Sequence, residues 1–167
     1  MRAEGTTPGG LTLLGEAACR YQAGEVWPED LPMIAAEALA AGLDTPTLCE
    51  LAGRPRHDDA RDLRDAFEQA LSESGIRLPG RARARRHALR RVAARLLDGD
   101  VTAADLATGD WAETAAETAA EQSFVALLPP CACCVAYTLG LDQAAWEARL
   151  RAAALALTSS PPTAPGC

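Results

Sequence analysis

Three cysteines lie within four positions of one another in the segment LPPCACCVAY, directly after two prolines. Cys131 and Cys134 have the C-x-x-C spacing, and Cys133 lies between them. At the start of a helix, unpaired N–H groups and the helix dipole favour the thiolate form of a cysteine, which is its reactive form. The pair Cys131 and Cys134 therefore predicts, as one alternative, a thiol redox or sensing site.

The spacing resembles that of the redox-active pair in all-helical proteins that reduce peroxiredoxins. In that family a histidine lies four residues beyond the second cysteine. Thr138 occupies this position here, so the resemblance does not supply a group that handles protons.

A soft-metal site is a second alternative, with Cys131, Cys133 and Cys134 as ligands and zinc or copper as the ion. Structural zinc takes four ligands, and three cysteines this close cannot all reach one tetrahedral ion from a regular helix. The C-x-x-C pair supplies two ligands, and Cu(I) could bind the soft Cys-x-Cys pair. The remaining zinc ligands would have to come from single cysteines and histidines far away in the sequence: Cys19, Cys49, His57 and His87.

Burial of the cysteines as small apolar residues is the interpretation that we favour, because free cysteine is among the most buried residue types. In this interpretation Cys133 and Cys134 pack against a C-terminal helix that carries Trp146, and Cys131 lies nearer the surface. The sequence then predicts no catalytic residue, no cofactor and no metal.

The segment GRARARRHALRRVAARLL is an arginine-rich helix over about residues 81–97. At 100° per residue, one face is apolar and predicted to be buried: Ala82, Leu89, Val92, Ala93 and Leu96. The opposite face is basic: Arg83, His87, Arg90, Arg91 and Arg95. Arg85 falls on the apolar stripe, which predicts either a frayed first turn or a buried pair.

A helix that reads DNA has a similar charge pattern, but the net charge of −7 argues against nucleic-acid binding. Acidic residues of the chain itself are ready partners: Glu113, Glu117 and Glu121 at spacing i, i+4, i+8, and Asp58, Asp59, Asp62 and Asp65. We favour ion pairs between these basic and acidic residues, either inside the protein or at its solvated surface. The alternative is a protein-partner surface formed by Arg83, Arg90, Arg91 and Arg95.

The remaining polar residues do not form a recognisable catalytic set. His57 precedes Asp58 and Asp59, but aspartates at a helix start are ordinary complements of the helix dipole. The glutamates of the 113–121 segment lack the Glu-x-x-His partners of a di-iron bundle. The sequence therefore leans towards a protein that is not an enzyme.

The elements that must position these residues are helices. Aromatic residues make up 4% of the chain and β-branched residues are scarce, whereas alanine and leucine dominate. Prolines, glycines such as Gly140 and N-cap residues predict an all-α bundle of about eight or nine helices joined by short loops. The predicted N-cap residues are Asp30, Thr45, Thr102, Asp110 and Asp142. The predicted helices cover about residues 11–23, 31–41, 46–52, 58–74, 81–97, a short helix after Thr102, 110–128, 131–139 and 143–157.

Residues 30–111, from LPMIAAEALAAGLDTPTLCELAG to LLDGDVTAADLATGDW, resemble small helical proteins of high-GC actinobacteria. That group has no assigned activity, so the resemblance implies a helical fold and transfers no catalytic residue. For the domain organisation we predict a flexible N-terminus at 1–10, a single helical domain at 11–157 and a flexible tail at 158–167.

The functional prediction is a cytosolic, non-enzymatic helical module for protein interaction or regulation. The chain contains no apolar run of membrane-spanning length, and its N-terminus lacks a continuous apolar signal segment. In the cytosol its six cysteines are expected to be reduced. A protein partner or a homo-oligomer is predicted, without nucleic-acid or membrane binding.

Overall fold

Local capping signals set most of the helix boundaries in the computed structural model, which describes residues 8–161. Over this range the chain forms nine α-helices and two short 3₁₀ helices, without a β-strand, which confirms the all-α prediction. The α-helices are α1 (Pro8–Gln22), α2 (Leu31–Ala40), α3 (Pro46–Ala52), α4 (Ala60–Glu73), α5 (Arg81–Asp98), α6 (Ala103–Leu106), α7 (Ala119–Val125), α8 (Val135–Leu139) and α9 (Gln143–Ser159). The 3₁₀ helices are Pro28–Asp30 and Ala132–Cys134.

Three of the predicted caps are present. Thr45 accepts a hydrogen bond from the backbone N–H of Leu48, Thr102 forms a capping box with Asp105, and Asp142 accepts from the N–H of Ala145. Each side chain pairs an N–H group that a helix start would otherwise leave without a partner.

Other boundaries differ from the sequence prediction. Asp30 precedes α2 but makes no capping hydrogen bond, and its carboxylate pairs with Arg56 at 2.7 Å instead. Residues 8–10 belong to α1, although the flexible N-terminus was predicted to reach residue 10, and α9 continues to Ser159. Residues 1–7 and 162–167 of the predicted flexible ends lie outside the described residues.

The predicted long helix from residue 110 to residue 128 is wrong. Residues 110–118 form a turn followed by irregular structure, and α7 begins only at Ala119. Three capping-box patterns follow one another here, with the cap residue at Asp110, Thr114 or Thr118. The last one is used: Thr118 accepts from the N–H of Glu121, and the Glu121 carboxylate accepts from the N–H of Thr118.

The described helices group in two compact units, residues 8–84 and residues 85–161. The unit boundary falls in the first turn of α5. Each unit has its own apolar core, which is the physical sign of a separate packing unit.

The first unit buries leucines and alanines of α1 to α4 around Phe67, which is fully buried. The ring of Tyr21 on α1 lies 5.1 Å from the ring of Phe67 on α4 and tilts by 59° against it. This geometry is typical of a favourable aromatic pair.

The second unit buries its apolar residues around Trp146 of α9. The indole N–H of Trp146 donates to the carbonyl of Leu127 at 2.8 Å, so the buried ring has no unpaired polar atom. Leu89 of α5, Phe124 of α7 and Val135 of α8 belong to the same core. None of the helices in residues 8–161 combines the length and the apolar content that a membrane crossing requires.

Candidate functional site

The three clustered cysteines lie in a short surface segment between two buried residues. Pro129 is buried before the segment, and Val135 is buried after it in the core of the second unit. Cys131 is extended, with φ −155° and ψ 151°, and residues 132–134 form one 3₁₀ turn. The prediction of one regular helix from residue 131 to residue 139 is therefore wrong, since α8 begins at Val135.

This change of backbone brings the three sulfur atoms together. Cys131 and Cys134 form a disulfide with their Cα atoms 5.4 Å apart. The thiol of Cys133 lies 2.7 Å from the Sγ of Cys131 and 3.9 Å from the Sγ of Cys134. All three sulfur atoms lie within 4.8 Å of one another.

The disulfide contradicts the prediction of reduced thiols at Cys131 and Cys134, whereas Cys49 and Cys133 are free thiols. The exposure of the cluster contradicts the prediction that it packs in the core. Cys133 was expected to be buried and is exposed, whereas Cys131 and Cys134 are half-buried. The buried position of this segment is taken by Val135. A 3₁₀ turn advances by 120° per residue rather than 100°, so the side chains of the turn point elsewhere than on the predicted α-helix.

Two further groups shape the backbone after the cluster. The hydroxyl of Thr138 donates to the carbonyl oxygen of Cys134. Gly140 ends α8 in the left-handed conformation, with φ 64°, which glycine adopts without strain. Thr138 thus contributes a backbone contact at the position where the resembled redox family has a histidine.

The other candidate ligands do not join this cluster. In residues 8–161, the group of metal-ligating side chains that converge consists of Cys131, Cys133 and Cys134 alone, without a histidine or a carboxylate. Cys19 is buried in the core of the first unit. Cys49 is exposed on α3, and its hydrogen bond to Asp44, together with desolvation, raises the pKa of its thiol.

Arginines of α5 make contacts inside the second unit, among them ion pairs with the predicted acidic partners Glu117 and Glu121. Arg86 binds Glu121 through two hydrogen bonds of 3.0 Å and also pairs with Glu117. Glu121 is 1% exposed and additionally accepts from the backbone N–H groups of Glu117 and Thr118. The third predicted ridge residue, Glu113, lies in a turn before α7.

The protonation states of this pair follow from its surroundings. Burial raises the pKa of Glu121, but the hydrogen bonds from Arg86 and from the backbone outweigh it, so the pKa lies below its ordinary value. The hydrogen bond to Glu121 raises the pKa of Arg86. Both groups are therefore charged at neutral pH.

Two other arginines of α5 donate hydrogen bonds to backbone carbonyls within the second unit. Arg85 lies 5.0 Å from the ring of Trp111 and donates to the carbonyl of Asp110, so it forms a pair and its turn is not frayed. Arg90 donates to the carbonyls of Leu157 and Ser160 at 2.9 and 2.8 Å.

The predicted faces of α5 are correct in part. Ala82 is exposed, whereas Ala84 and Ala88 are fully buried, because the helix turns its alanines on that side towards the interior. Of the predicted partner-surface residues, Arg95 is exposed, and Arg83, Arg90 and Arg91 are half-buried.

The aspartates after His57 have structural roles. Asp59 caps α4 by accepting from the N–H of Arg61 at 2.8 Å, and Asp58 pairs with Arg54 at 3.3 Å. This agrees with the dipole-complement interpretation.

Sequence signals for the missed features exist. A helix that started at Cys131 would have Pro130 as its N-cap residue, and proline has no side-chain group that can cap. A later helix start could therefore have been expected. The motif Thr118-Ala-Ala-Glu121 is a capping box in its own right and marks both the start of α7 and the buried carboxylate.

Comparisons of the chain with known proteins found no matching family model, no similar curated protein and no similar solved structure. The resemblance of residues 30–111 to helical actinobacterial proteins therefore stays a prediction.

Proposed function

We propose that this chain is a small cytoplasmic regulatory protein whose Cys131–Cys134 pair changes between a dithiol and a disulfide. The observation that supports the proposal is the disulfide itself, which closes a C-x-x-C pair at the surface next to the exposed thiol of Cys133. A disulfide in a reducing compartment is usually transient, and serves catalysis or redox sensing.

The chemistry is a two-electron thiol–disulfide exchange. A low-molecular-weight disulfide is attacked by one thiolate of the pair and releases one thiol. The second cysteine then attacks the mixed disulfide, closes the Cys131–Cys134 bond and releases the second thiol. Two thiols of the protein are oxidised and one external disulfide is reduced to two thiols, so electrons and protons balance.

A regulatory role fits the surroundings of the pair better than a catalytic one. In the described part of the chain, no histidine or carboxylate converges with the three sulfur atoms to transfer protons. Oxidation would instead bond the extended Cys131 covalently to Cys134, which is the last residue of the 3₁₀ turn and directly precedes α8. The redox state is thereby coupled to the backbone at the start of α8.

Equilibration of the full-length protein with defined ratios of reduced and oxidised dithiothreitol tests the proposal. Alkylation and peptide mass spectrometry should show Cys131 and Cys134 converting together, with a reversible midpoint. Cys134→Ser should abolish this transition, and Cys49→Ser, which changes an exposed thiol on α3, should leave it unchanged. A Cys131–Cys134 pair that stays reduced under strongly oxidising ratios contradicts the proposal.

The second candidate function is the protein-interaction module predicted from the sequence, with a protein partner or a second copy of the chain. Tyr137 supports it, because this large aromatic residue on α8 is 94% exposed close to the cysteine cluster. Exposed aromatic residues often dominate binding energy at interfaces. Self-association measured by light scattering should weaken in Tyr137→Ser; a monomer at all concentrations excludes the second copy as partner.

A further inference from the structure

We propose that the reduced cluster binds one Cu(I) ion through the thiolates of Cys131, Cys133 and Cys134. The inference rests on the proposed function in one respect, namely that the Cys131–Cys134 bond can be reduced. It adds a ligand to the same site, and it gives a role to Cys133, which the dithiol–disulfide change does not use.

The main observation in favour of a Cu(I) site is that the three sulfur atoms lie close together. Three sulfur atoms about 2.3 Å from one metal ion in a trigonal plane lie about 4 Å from one another. The Sγ atoms of Cys133 and Cys134 are already 3.9 Å apart, and all three sulfur atoms lie within 4.8 Å. Reduction separates Cys131 from Cys134, and a side-chain rotation of Cys133 or Cys131 widens their 2.7 Å contact.

The backbone removes the geometric objection to three neighbouring ligands. On a regular helix, the side chains of residues 131, 133 and 134 would point in directions 100° apart per residue and could not converge. Here Cys131 is extended, and Cys133 and Cys134 lie in a 3₁₀ turn. The three side chains therefore reach a common point without unfolding a helix.

The number and type of ligands select the ion. A structural zinc site takes four protein ligands, and among the described residues no histidine, carboxylate or further cysteine joins the three thiols. An all-thiolate set of soft donors favours Cu(I) over the harder divalent ions. The site thus fits a monovalent soft ion that accepts three ligands.

The position of the cluster allows an ion to enter and limits how far the ligands move. Cys133 is exposed, so an ion can reach the cluster from solvent or from a copper-carrying thiol. Val135 is 3% exposed and fixes the chain directly after Cys134. Binding changes no oxidation state: the thiols release their protons and the three thiolates donate electron pairs to Cu(I).

Copper binding and disulfide formation exclude each other, because both use the electron pairs of Cys131 and Cys134. The oxidised protein should therefore bind no Cu(I) at this site, and bound Cu(I) should slow the oxidation of the pair.

Anaerobic competition with a chromogenic Cu(I) chelator tests the inference on the reduced full-length protein. The unmodified protein should withdraw one Cu(I) per chain from the chelator. Cys133→Ser should weaken this binding by at least about tenfold, since loss of a direct ligand exceeds the loss of an outer-shell group. Cys49→Ser should bind like the unmodified protein.

The same variants separate the two proposals. Cys133→Ser retains the C-x-x-C pair, so its dithiothreitol midpoint should match that of the unmodified protein while its Cu(I) affinity falls. A normal redox midpoint together with no Cu(I) withdrawal overturns the copper inference and leaves the proposed function standing. Equal Cu(I) affinity of Cys133→Ser and unmodified protein, or stoichiometric zinc bound more tightly than Cu(I), also overturns it.

Discussion

Arg86 and Glu121 form the most constrained polar contact of the second unit. The Arg86 side chain is 11% exposed and that of Glu121 is 1% exposed. Two charges removed from water to this extent are stable only when they are paired and hydrogen-bonded. The pair satisfies both conditions, because Glu121 also closes the capping box of α7.

Replacement of Glu121 by alanine should destabilise the protein by about 3–5 kcal/mol, since it leaves the Arg86 guanidinium buried without its main partner. Urea denaturation followed by circular dichroism measures the change. Glu117→Ala is the matched control: that side chain contacts the same arginine but is 62% exposed, so its loss should change stability by about 0–1 kcal/mol. Similar losses in both variants would contradict this account of the pair.

At the scale of the elements, arginines and a tyrosine connect helices that are distant in sequence. Arg90 of α5 holds the C-terminal end of α9 through the carbonyls of Leu157 and Ser160. The last carbonyls of a helix have no partner within the helix, and a cation placed there complements the dipole.

Replacement of Arg90 by methionine keeps an apolar stem of similar length and removes its hydrogen bonds to the carbonyls of Leu157, Ser160 and Pro161. A hydrogen bond to a charged group contributes about 1.5–3 kcal/mol, and the freed carbonyls at the helix end can bond water instead. We therefore expect a total loss of stability of about 1.5–3 kcal/mol. Hydrogen exchange should accelerate in the last turn of α9. Arg95→Met, on the exposed side of α5, serves as the control and should leave this turn unchanged.

Tyr21 connects α1 and α4, and its ionisation should destabilise that contact. Burial, followed by the hydrogen bond to Glu68, raises the pKa of Tyr21 to about 12. In the unfolded chain the phenol of a tyrosine ionises near pH 10. The contribution of Tyr21 to stability is therefore complete below pH 10 and is lost as the pH rises towards 12.

Denaturation at pH 9 and pH 11 measures this effect. The unmodified protein should lose more stability over that interval than Tyr21→Phe, which has no hydroxyl to ionise. Tyr137→Phe changes the exposed tyrosine and should follow the unmodified protein. Equal slopes for the unmodified protein and Tyr21→Phe would show that the phenol does not contribute.

At the scale of the molecule, the two compact units contain separate cores. Leu63 belongs to the core of the first unit and Leu150 to that of the second, and both are fully buried. A cavity made in one core should disturb only the residues that line it.

Leu63→Ala and Leu150→Ala should each cost about 2–5 kcal/mol. If the cores are energetically separate, hydrogen exchange should accelerate within residues 8–84 in the first variant and within 85–161 in the second. Acceleration of both ranges by either substitution would show that the two cores unfold as one cooperative unit.

The helical class and most of the helix boundaries could be predicted because they depend on interactions between residues close in sequence. The cap of Thr45, the capping box of Thr102, and the end of α8 at Gly140 each involve groups within about four residues. The amphipathic face of α4, with Leu63, Phe67, Ala70 and Leu71 buried, follows from the same local periodicity.

The cysteine site and the Arg86–Glu121 pair depended on contacts that local signals do not specify. Residues 110–118 could continue a helix or end one, and α7 begins where Thr118 and Glu121 close the box and Arg86, 35 residues earlier, neutralises the carboxylate. Likewise, the C-x-x-C spacing permitted a helical pair, a buried pair or a disulfide. Tertiary packing placed Pro129 and Val135 in buried positions, which left the cysteines between them at the surface with their sulfur atoms together.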